Sequence, residues 1–415
     1  MTSEPAANEA LDWIVDVLWG GLPGVSVARV PSGHSNQRTT SDAVERYLVV
    51  PSAREPRMLL PAHPRTGAAA MASGNRMRRP GAKAQRWAAG LAVRSGAAPF
   101  IFRDSLEVAA EPSGEAQTLG DILGELLGET VELAINVRAA SPYRKPVVQV
   151  LSGDGRTLAY AKVAWNDVTE RNVAAEADGL EAIASAARSG FSAPKVRARL
   201  SWRSHTVLVT EPMPSGLDRY PAAAGPPSTT VTRAVAGLWP GRNTLLAESD
   251  YTLDLGDRIV RAAIVAPDAS SAALRALDRV RARFADVAID HGSWHGDWAP
   301  WNLGRENGGL WAWDWEYARP GVPLGFDLPH WFFQRSFIER KSTFVDGMAA
   351  AGAAATPLRE LGLSAAQADA TLALHGLEAA ARYLDALALG AVPNPRFVTG
   401  SIAGLASILP ERGRA

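Results

Sequence analysis

His295-Gly296-Asp297-Trp298-Ala299-Pro300-Trp301-Asn302, a turn at Asn307-Gly308-Gly309, and then Trp311-Ala312-Trp313-Asp314-Trp315-Glu316 form the stretch that decides the fold of this 415-residue chain. Asp297 and Asn302 stand five apart across a Pro-containing loop, and Asp314 follows twelve residues after Asn302. Asp297 can accept a proton from an attacking hydroxyl, while Asn302 offers a neutral oxygen and Asp314 an anionic one to Mg²⁺. Phosphoryl transfer from a nucleotide uses that set. The Asn and Gly residues of the turn tolerate positive φ and predict a hairpin. Strict alternation from Trp311 to Glu316 predicts a strand with Trp311, Trp313 and Trp315 facing the core and Asp314 and Glu316 facing the other way. As a plain solvated strand face, Asp314 and Glu316 would leave the upstream His-Gly-Asp and Asn302 unexplained.

Lysine usage points to a second candidate. Only five of the 43 basic residues are lysine, so a lysine within a strand stands out. Lys162 lies in the apolar run Leu158 to Trp165, where an ammonium is costly to bury unless an anion meets it. The alternative is an edge lysine reaching solvent along its own stem. Glu132 to Arg138, Pro146 to Ser152 and Thr157 to Trp165 read as three strands, with a tight turn at Gly153-Asp154-Gly155. Thr169 to Arg188 reads as a helix, and Lys195 to Leu200 and His205 to Glu211 as two more strands.

The pattern from His295 to Asn302 together with Asp314-Trp315-Glu316 resembles the aminoglycoside phosphotransferase and choline kinase family, which has a protein-kinase-like fold. The resemblance implies an α+β, bilobal chain with a small antiparallel β lobe, a larger helical lobe and an extra N-terminal segment. It implies ATP and Mg²⁺ as cofactors, Asp297 as the base, and Asn302 and Asp314 as the metal ligands. His295 joins Asp297 in the catalytic loop as its organiser. Asp327, in Gly325-Phe326-Asp327-Leu328, would brace that loop. Lys162 would grip the phosphates and pair with Glu176, which opens Glu176-Ala-Asp-Gly-Leu180-Glu181, with Glu181 in reserve. Backbone near Glu211 and Met213 would meet the adenine edge at an inter-lobe hinge. The loop Ala139 to Lys145 lacks the glycines of a protein-kinase phosphate flap, so backbone at Ser141, or Arg144 and Lys145, would cover the phosphates instead. That departure favours a small-molecule kinase over a protein kinase.

The expected division is residues 1–125 as an N-terminal extension, 126–213 as the nucleotide-binding lobe and 214–415 as the helical catalytic and acceptor-binding lobe. In the extension, Tyr47 to Pro51 and Met58 to Leu60 read as a hairpin and Lys83 to Val93 as a helix. The basic cluster Arg76, Arg78, Arg79, Lys83 and Arg86 reads as a solvated loop or a phosphate contact. The segment would cover the nucleotide lobe or mediate self-association as a homodimer. In the helical lobe, Leu255 to Val265, Ser271 to Val287 and Ala365 to Leu389 show helical spacing. Glu360, Asp369, Glu378 and Asp385 are carboxylates available to a polycationic acceptor, and Trp298 and Trp301 are placed to stack on a sugar.

Composition suits a globular enzyme: 47% of residues are hydrophobic and 21% charged, which permits large cores. Formal net charge is zero, so nothing at chain level predicts attraction to nucleic acid or an anionic membrane. There is no cysteine, which excludes disulfides and thiolate chemistry. With no basic-then-apolar start and no apolar run of about 20 residues, the expected location is the cytoplasm. The expected reaction is ATP-dependent phosphorylation of a hydroxyl on a small molecule, such as a sugar, amino sugar or amino alcohol. The alternatives are a catalytically idle nucleotide-binding module and a nucleotidyltransferase on the same fold.

Overall fold

The computed structural model describes residues 5–31, 43–73, 80–111, 117–138, 141–186, 190–392 and 394–408. The chain is α+β and divides into two units, one of residues 1–174 with 194–218 and the other of residues 175–193 with 219–415.

The first unit is built on strands β1 (Val25–Pro31), β2 (Ala43–Val50), β3 (Met58–Pro61), β4 (Asp104–Ala110), β5 (Val131–Asn136), β6 (Val147–Ser152), β7 (Thr157–Val163), β8 (Val196–Trp202) and β9 (His205–Thr210). They form one nine-stranded sheet in the order β1-β4-β2-β3-β5-β6-β7-β9-β8, antiparallel throughout. Because β3 pairs with β5 through Met58↔Asn136 and Leu59↔Ile135, the sheet runs unbroken across residue 125. The β2–β3 hairpin read from Tyr47 to Leu60 is present. So is the β6–β7 hairpin, whose turn needs a left-handed residue and has Gly155 there at φ +88°.

Helices cover both faces of that sheet. Helix α1 (Pro5–Trp19) packs Leu11, Ile14 and Leu18 on one face, beside Leu119 and Leu123, against Val108, Ile135 and Val148 of the sheet. On the other face, α2 (Pro64–Ala72) and α3 (Pro80–Arg94), followed by the short α4 (Ala98–Ile101), set Ala70, Met71 and Val93 against Leu48, Leu60 and Leu151. Helix α5 (Leu119–Leu127) starts at a capping box, Thr118 with Asp121, and ends on left-handed Gly128. The outermost strand, β8, alternates exposed Arg197 and Arg199 with inward residues, which discourages pairing with another chain. Helix α6 (Asp167–Ser185) starts in this unit and finishes in the second.

The second unit is mainly helical. After the two-residue β10 (Asp218–Arg219) come α7 (Thr229–Ala236), β11 (Arg242–Leu245), α8 (Asp250–Arg261), α9 (Pro267–Arg283), β12 (Ala288–Trp294), β13 (Leu303–Glu306), β14 (Gly309–Ala312) and β15 (Arg319–Pro323). Helices α10 (Asp327–Gln334), α11 (Phe344–Ala351), α12 (Ala355–Glu360), α13 (Ala365–Ala388) and α14 (Pro395–Ser407) complete it. Capping boxes at Thr343/Asp346 and Ser364/Gln367 set where α11 and α13 begin. Its core joins Leu255 and Ile259 of α8, Leu277 and Val280 of α9, Leu374 and Leu377 of α13, and a ring cluster of Phe333, Phe337, Phe344 and Phe397. Strand β12 lies between β11 and β15, and its end delivers the chain to His295.

Candidate active site

The loop from His295 to Asn302 follows β12 directly, and its conformation is over-determined. Gly296 has φ +80°, and a Cβ there would lie 2.5 Å from the Tyr317 carbonyl oxygen and 2.7 Å from its Cβ. Only glycine fits. Gly296→Ala is therefore expected to cost 1–3 kcal/mol of stability, on the order seen for strained backbone sites, and to misplace Asp297, read as a lower denaturation midpoint together with lost turnover. Asp327 at the start of α10 holds the loop's first turn: its carboxylate accepts the His295 N–H at 2.9 Å and the Gly296 N–H at 3.2 Å. Burial pushes its pKa up to about 7 against those two hydrogen bonds. The Arg382 guanidinium of α13 donates to the Gly296 carbonyl and lies over the Tyr317 ring at 4.2 Å from its centre.

His295 is fully buried, its ring tilted against that of Trp315 at 4.4 Å between ring centres. Its Nδ1 accepts the Asp297 N–H at 3.1 Å and its Nε2 donates to the Trp313 carbonyl at 3.0 Å. Those two bonds admit only the neutral Nε2–H tautomer, and burial lowers the pKa to about 4. Nitrogen NMR is expected to show His295 as that neutral tautomer down to pH about 5; a protonated ring at pH 6 would contradict the geometry. The ring thus ties the Asp297 backbone to the residue before Asp314.

The Asp297 carboxylate is partly open, its side chain 21% exposed, beside a His330 side chain that is 3% exposed. Asn302 donates its amide to Asp297 Oδ2 at 2.7 Å and to the Asp297 carbonyl at 3.0 Å. His330 Nε2 lies 3.6 Å from Asp297 Oδ1. Burial alone would raise the Asp297 pKa, but the contact with His330 and the charge of Arg382 hold it below the ordinary aspartate value. It is an anion at neutral pH. His330 in turn meets His375 at 3.4 Å and the Gln334 amide at 3.1 Å.

Asn302 and Asp314 are brought close through the backbone, the Trp313 N–H donating to the Asn302 carbonyl at 3.2 Å. With the Asn302 amide N–H groups turned to Asp297, its Oδ1 is the atom left to face a cation. Among the described residues no group of three or more His, Asp or Glu side chains is arranged to hold a metal by itself. One amide oxygen and one carboxylate fit Mg²⁺, which takes few protein ligands and completes its shell with water and substrate phosphates.

Three sequence expectations are corrected here. Strand β14 stops at Ala312 with Ala312 buried and Trp311 and Trp313 partly exposed, the reverse of the expected faces, and beyond Asp314, at φ +68°, Trp315 and Ala318 are buried. Alternation does not say which face meets the core; an αL residue turns the chain out of a strand, and Asp accepts that conformation more readily than most residues. Trp298 is fully buried against Phe191, His295 and Trp315 and has no face for a sugar. Glu378 is buried too, its Oε2 accepting from Arg258 at 2.8 Å, Arg319 at 2.9 Å and the Tyr251 hydroxyl at 2.8 Å, while Asp385 pairs with Arg258. These two carboxylates serve the unit's interior; Glu360 and Asp369 are exposed.

Lys162 is half-buried on β7, opposite Val147 of β6 and Leu208 of β9. Glu176 is a buried carboxylate on α6 and Glu181 an exposed one. Ser141 opens a turn in which its carbonyl accepts the Arg144 N–H at 2.9 Å, and the turn is tied down by Asn166 and Trp165, which donate to Pro142 and Arg144 carbonyls. Ala139 and Ala140 lie outside the described residues, as do Arg76, Arg78 and Arg79. The Glu211 N–H donates to the Lys195 carbonyl at 2.8 Å, and the first unit ends at Asp218, shortly beyond Met213. Sequence reading missed His330 and Arg382. His330 had a signal, since it stands three residues after Asp327 and so shares its helix face; Arg382, one arginine of many on a long helix, had none.

No family model matches the chain, and no curated protein does. Among solved structures the chain is similar to a thermostable mutant of the aminoglycoside phosphotransferase APH(4)-Ia in ternary complex with ADP and hygromycin B: 16% identity, 70% of this chain and 99% of that one, TM-score 0.48. It is similar also to the amicoumacin kinase hAmiN, in complex with AMP-PNP, Ca²⁺ and Ami, at 12% identity over 66% of this chain and 89% of that one, TM-score 0.43.

Proposed function

We propose that the chain is an ATP-dependent phosphotransferase acting on a hydroxyl of a small molecule. The observation that carries this reading is the Asp297 carboxylate: anionic, partly open, hydrogen-bonded by Asn302 and 3.6 Å from His330, on a loop held by Asp327, His295 and Gly296. A carboxylate with a lowered pKa is a weak base for a resting alcohol but a good acceptor for aligning its O–H. The hydroxyl oxygen attacks the terminal phosphorus in line as the bridging P–O bond breaks, ADP leaves, and Asp297 takes the proton as the new O–P bond makes the hydroxyl acidic. Asn302 and Asp314 would hold Mg²⁺, which when bound supplies positive charge at the phosphate oxygens. Lys162 would bind those phosphates, with Glu176 as its carboxylate partner and the 141–145 turn beside them. Backbone near Glu211 and Met213 would meet the adenine. The acceptor class of sugars, amino sugars and amino alcohols remains the favoured one.

The test is a screen of such acceptors with MgATP, read as ATP-dependent mass gain of one phosphate. A product carrying AMP would instead establish nucleotidyl transfer, and MgATP binding without any product across the panel would favour the idle module. Lys162→Ala is expected to raise the KM for ATP by about 10-fold or more, as loss of a charge-assisted phosphate contact should, with acceptor KM little changed in steady-state kinetics.

A further inference from the structure

The net charge of zero conceals a local segregation. Between residues 56 and 103 stand nine arginines or lysines and no aspartate or glutamate. Helix α3 lies within that stretch and has two apolar faces. One is partnered: Val93 is buried, Gly90 approaches Met71 of α2, and Arg86 donates to the α2 carbonyls of Ala70 at 2.8 Å and Met71 at 3.1 Å. The other carries Ala84, Trp87, Ala88 and Leu91, at helical spacing and exposed, with Trp87 68% and Leu91 55% open. Helix α4 adds Phe100, 84% exposed, and Ile101, 55% exposed. Lys83, Arg94 and Arg103 flank these groups in sequence, the two arginines exposed.

We propose that the α3–α4 surface docks this protein on an anionic lipid bilayer, the indole, phenyl and aliphatic side chains entering the headgroup boundary while the basic residues meet lipid phosphates. Large exposed apolar groups flanked by Lys and Arg are what interfacial binding uses. A second copy of the chain suits the surface less, because a two-fold contact would set the basic run against itself. Nucleic acid would engage the arginines but gain nothing from Leu91 and Ile101. Docking is peripheral: no helix among the described residues is long and apolar enough to cross a membrane.

The experiment is flotation of the full chain with vesicles of equal parts phosphatidylglycerol and phosphatidylcholine, and with pure phosphatidylcholine. Flotation with the anionic vesicles only, weakened by salt, is expected. The variant Trp87→Ser/Phe100→Ser/Ile101→Ser should lose about 10-fold or more in partitioning, given the apolar area withdrawn. Lys83→Glu/Arg94→Glu should lose a similar factor through charge alone, with circular dichroism confirming that both variants fold. Absence of flotation, or undiminished flotation of the folded triple variant, would overturn the proposal. So would binding to duplex DNA or RNA, or a dimer broken by Phe100→Ser, when either occurs without vesicle binding.

Discussion

Asp297→Ala is expected to lower kcat by about 10³-fold, within the range a positioned acid or base contributes, while MgATP affinity stays within about two-fold of wild type. The split follows from the site. On the proposed reading Asp297 would hold the acceptor hydroxyl, and its own contacts run to Asn302 and His330. Of the groups proposed for MgATP, Lys162 and Glu176 lie elsewhere in the sequence, and Asn302 keeps its hydrogen bond to the backbone carbonyl of residue 297 in the variant. Asp297→Asn keeps the volume, so it should preserve the loop yet lose nearly as much turnover, because an amide cannot take the proton. Single-turnover kinetics with a confirmed acceptor, beside equilibrium titration of MgATP, measures both quantities. Full activity in either variant would remove Asp297 from the chemistry, and an equal loss of nucleotide affinity would make its role structural.

Glu378→Ala should produce the largest change in stability, about 3 kcal/mol or more, as removal of one partner from a buried ion pair typically does. Glu378 joins α13 to Arg258 of α8 and Arg319 of β15, and a Tyr251 hydroxyl completes the shell. Alanine would leave the Arg258 charge, only 12% exposed, with Asp385 alone. Arg319 is more open and keeps Asp254, so it adds less. Urea denaturation gives the difference directly. The same group makes stability depend on pH. Burial opposes ionisation of Glu378, but the two arginines hold its carboxyl well below the usual carboxylate range. Below pH about 4.5 the unfolded chain therefore binds a proton at this position that the folded chain does not. Its stabilisation is present above that pH and is lost as pH falls, so the wild-type curve should drop more steeply on the acid side than that of Glu378→Ala.

Local signals read well where the chain obeys short-range rules. The β2–β3 and β6–β7 hairpins, the presence of α9, the span of α13, and the strand bearing Lys162 were legible because turn residues and apolar periodicity act over a few positions, whereas α9 itself lies four residues earlier than Ser271 to Val287. Asp327, the first residue of α10, was legible only through the resemblance of Gly325 to Leu328 to a family's helix start. The strand read from Trp311 to Glu316 ends at Ala312 with its small residue, not its tryptophans, buried, because alternation does not say which face meets the core, and the left-handed Asp314 then turns the chain out of the strand. Glu378 and Asp385 looked like acceptor ligands because a carboxylate on a helix carries no mark of what packs over it.

By itself, then, the sequence determined a β-rich first part, a helical second part, and a His-Gly-Asp loop with Asn302 and Asp314 downstream. Tertiary structure alone decided three things. Strands before residue 125 join the same sheet as β5 to β9, because pairing partners distant in sequence leave no local trace. Trp298 is core rather than platform, because burial depends on Phe191 and Trp315 arriving from elsewhere. His330 and Arg382 complete the surroundings of Asp297, because helices distant in the chain must first pack before their side chains can meet its loop.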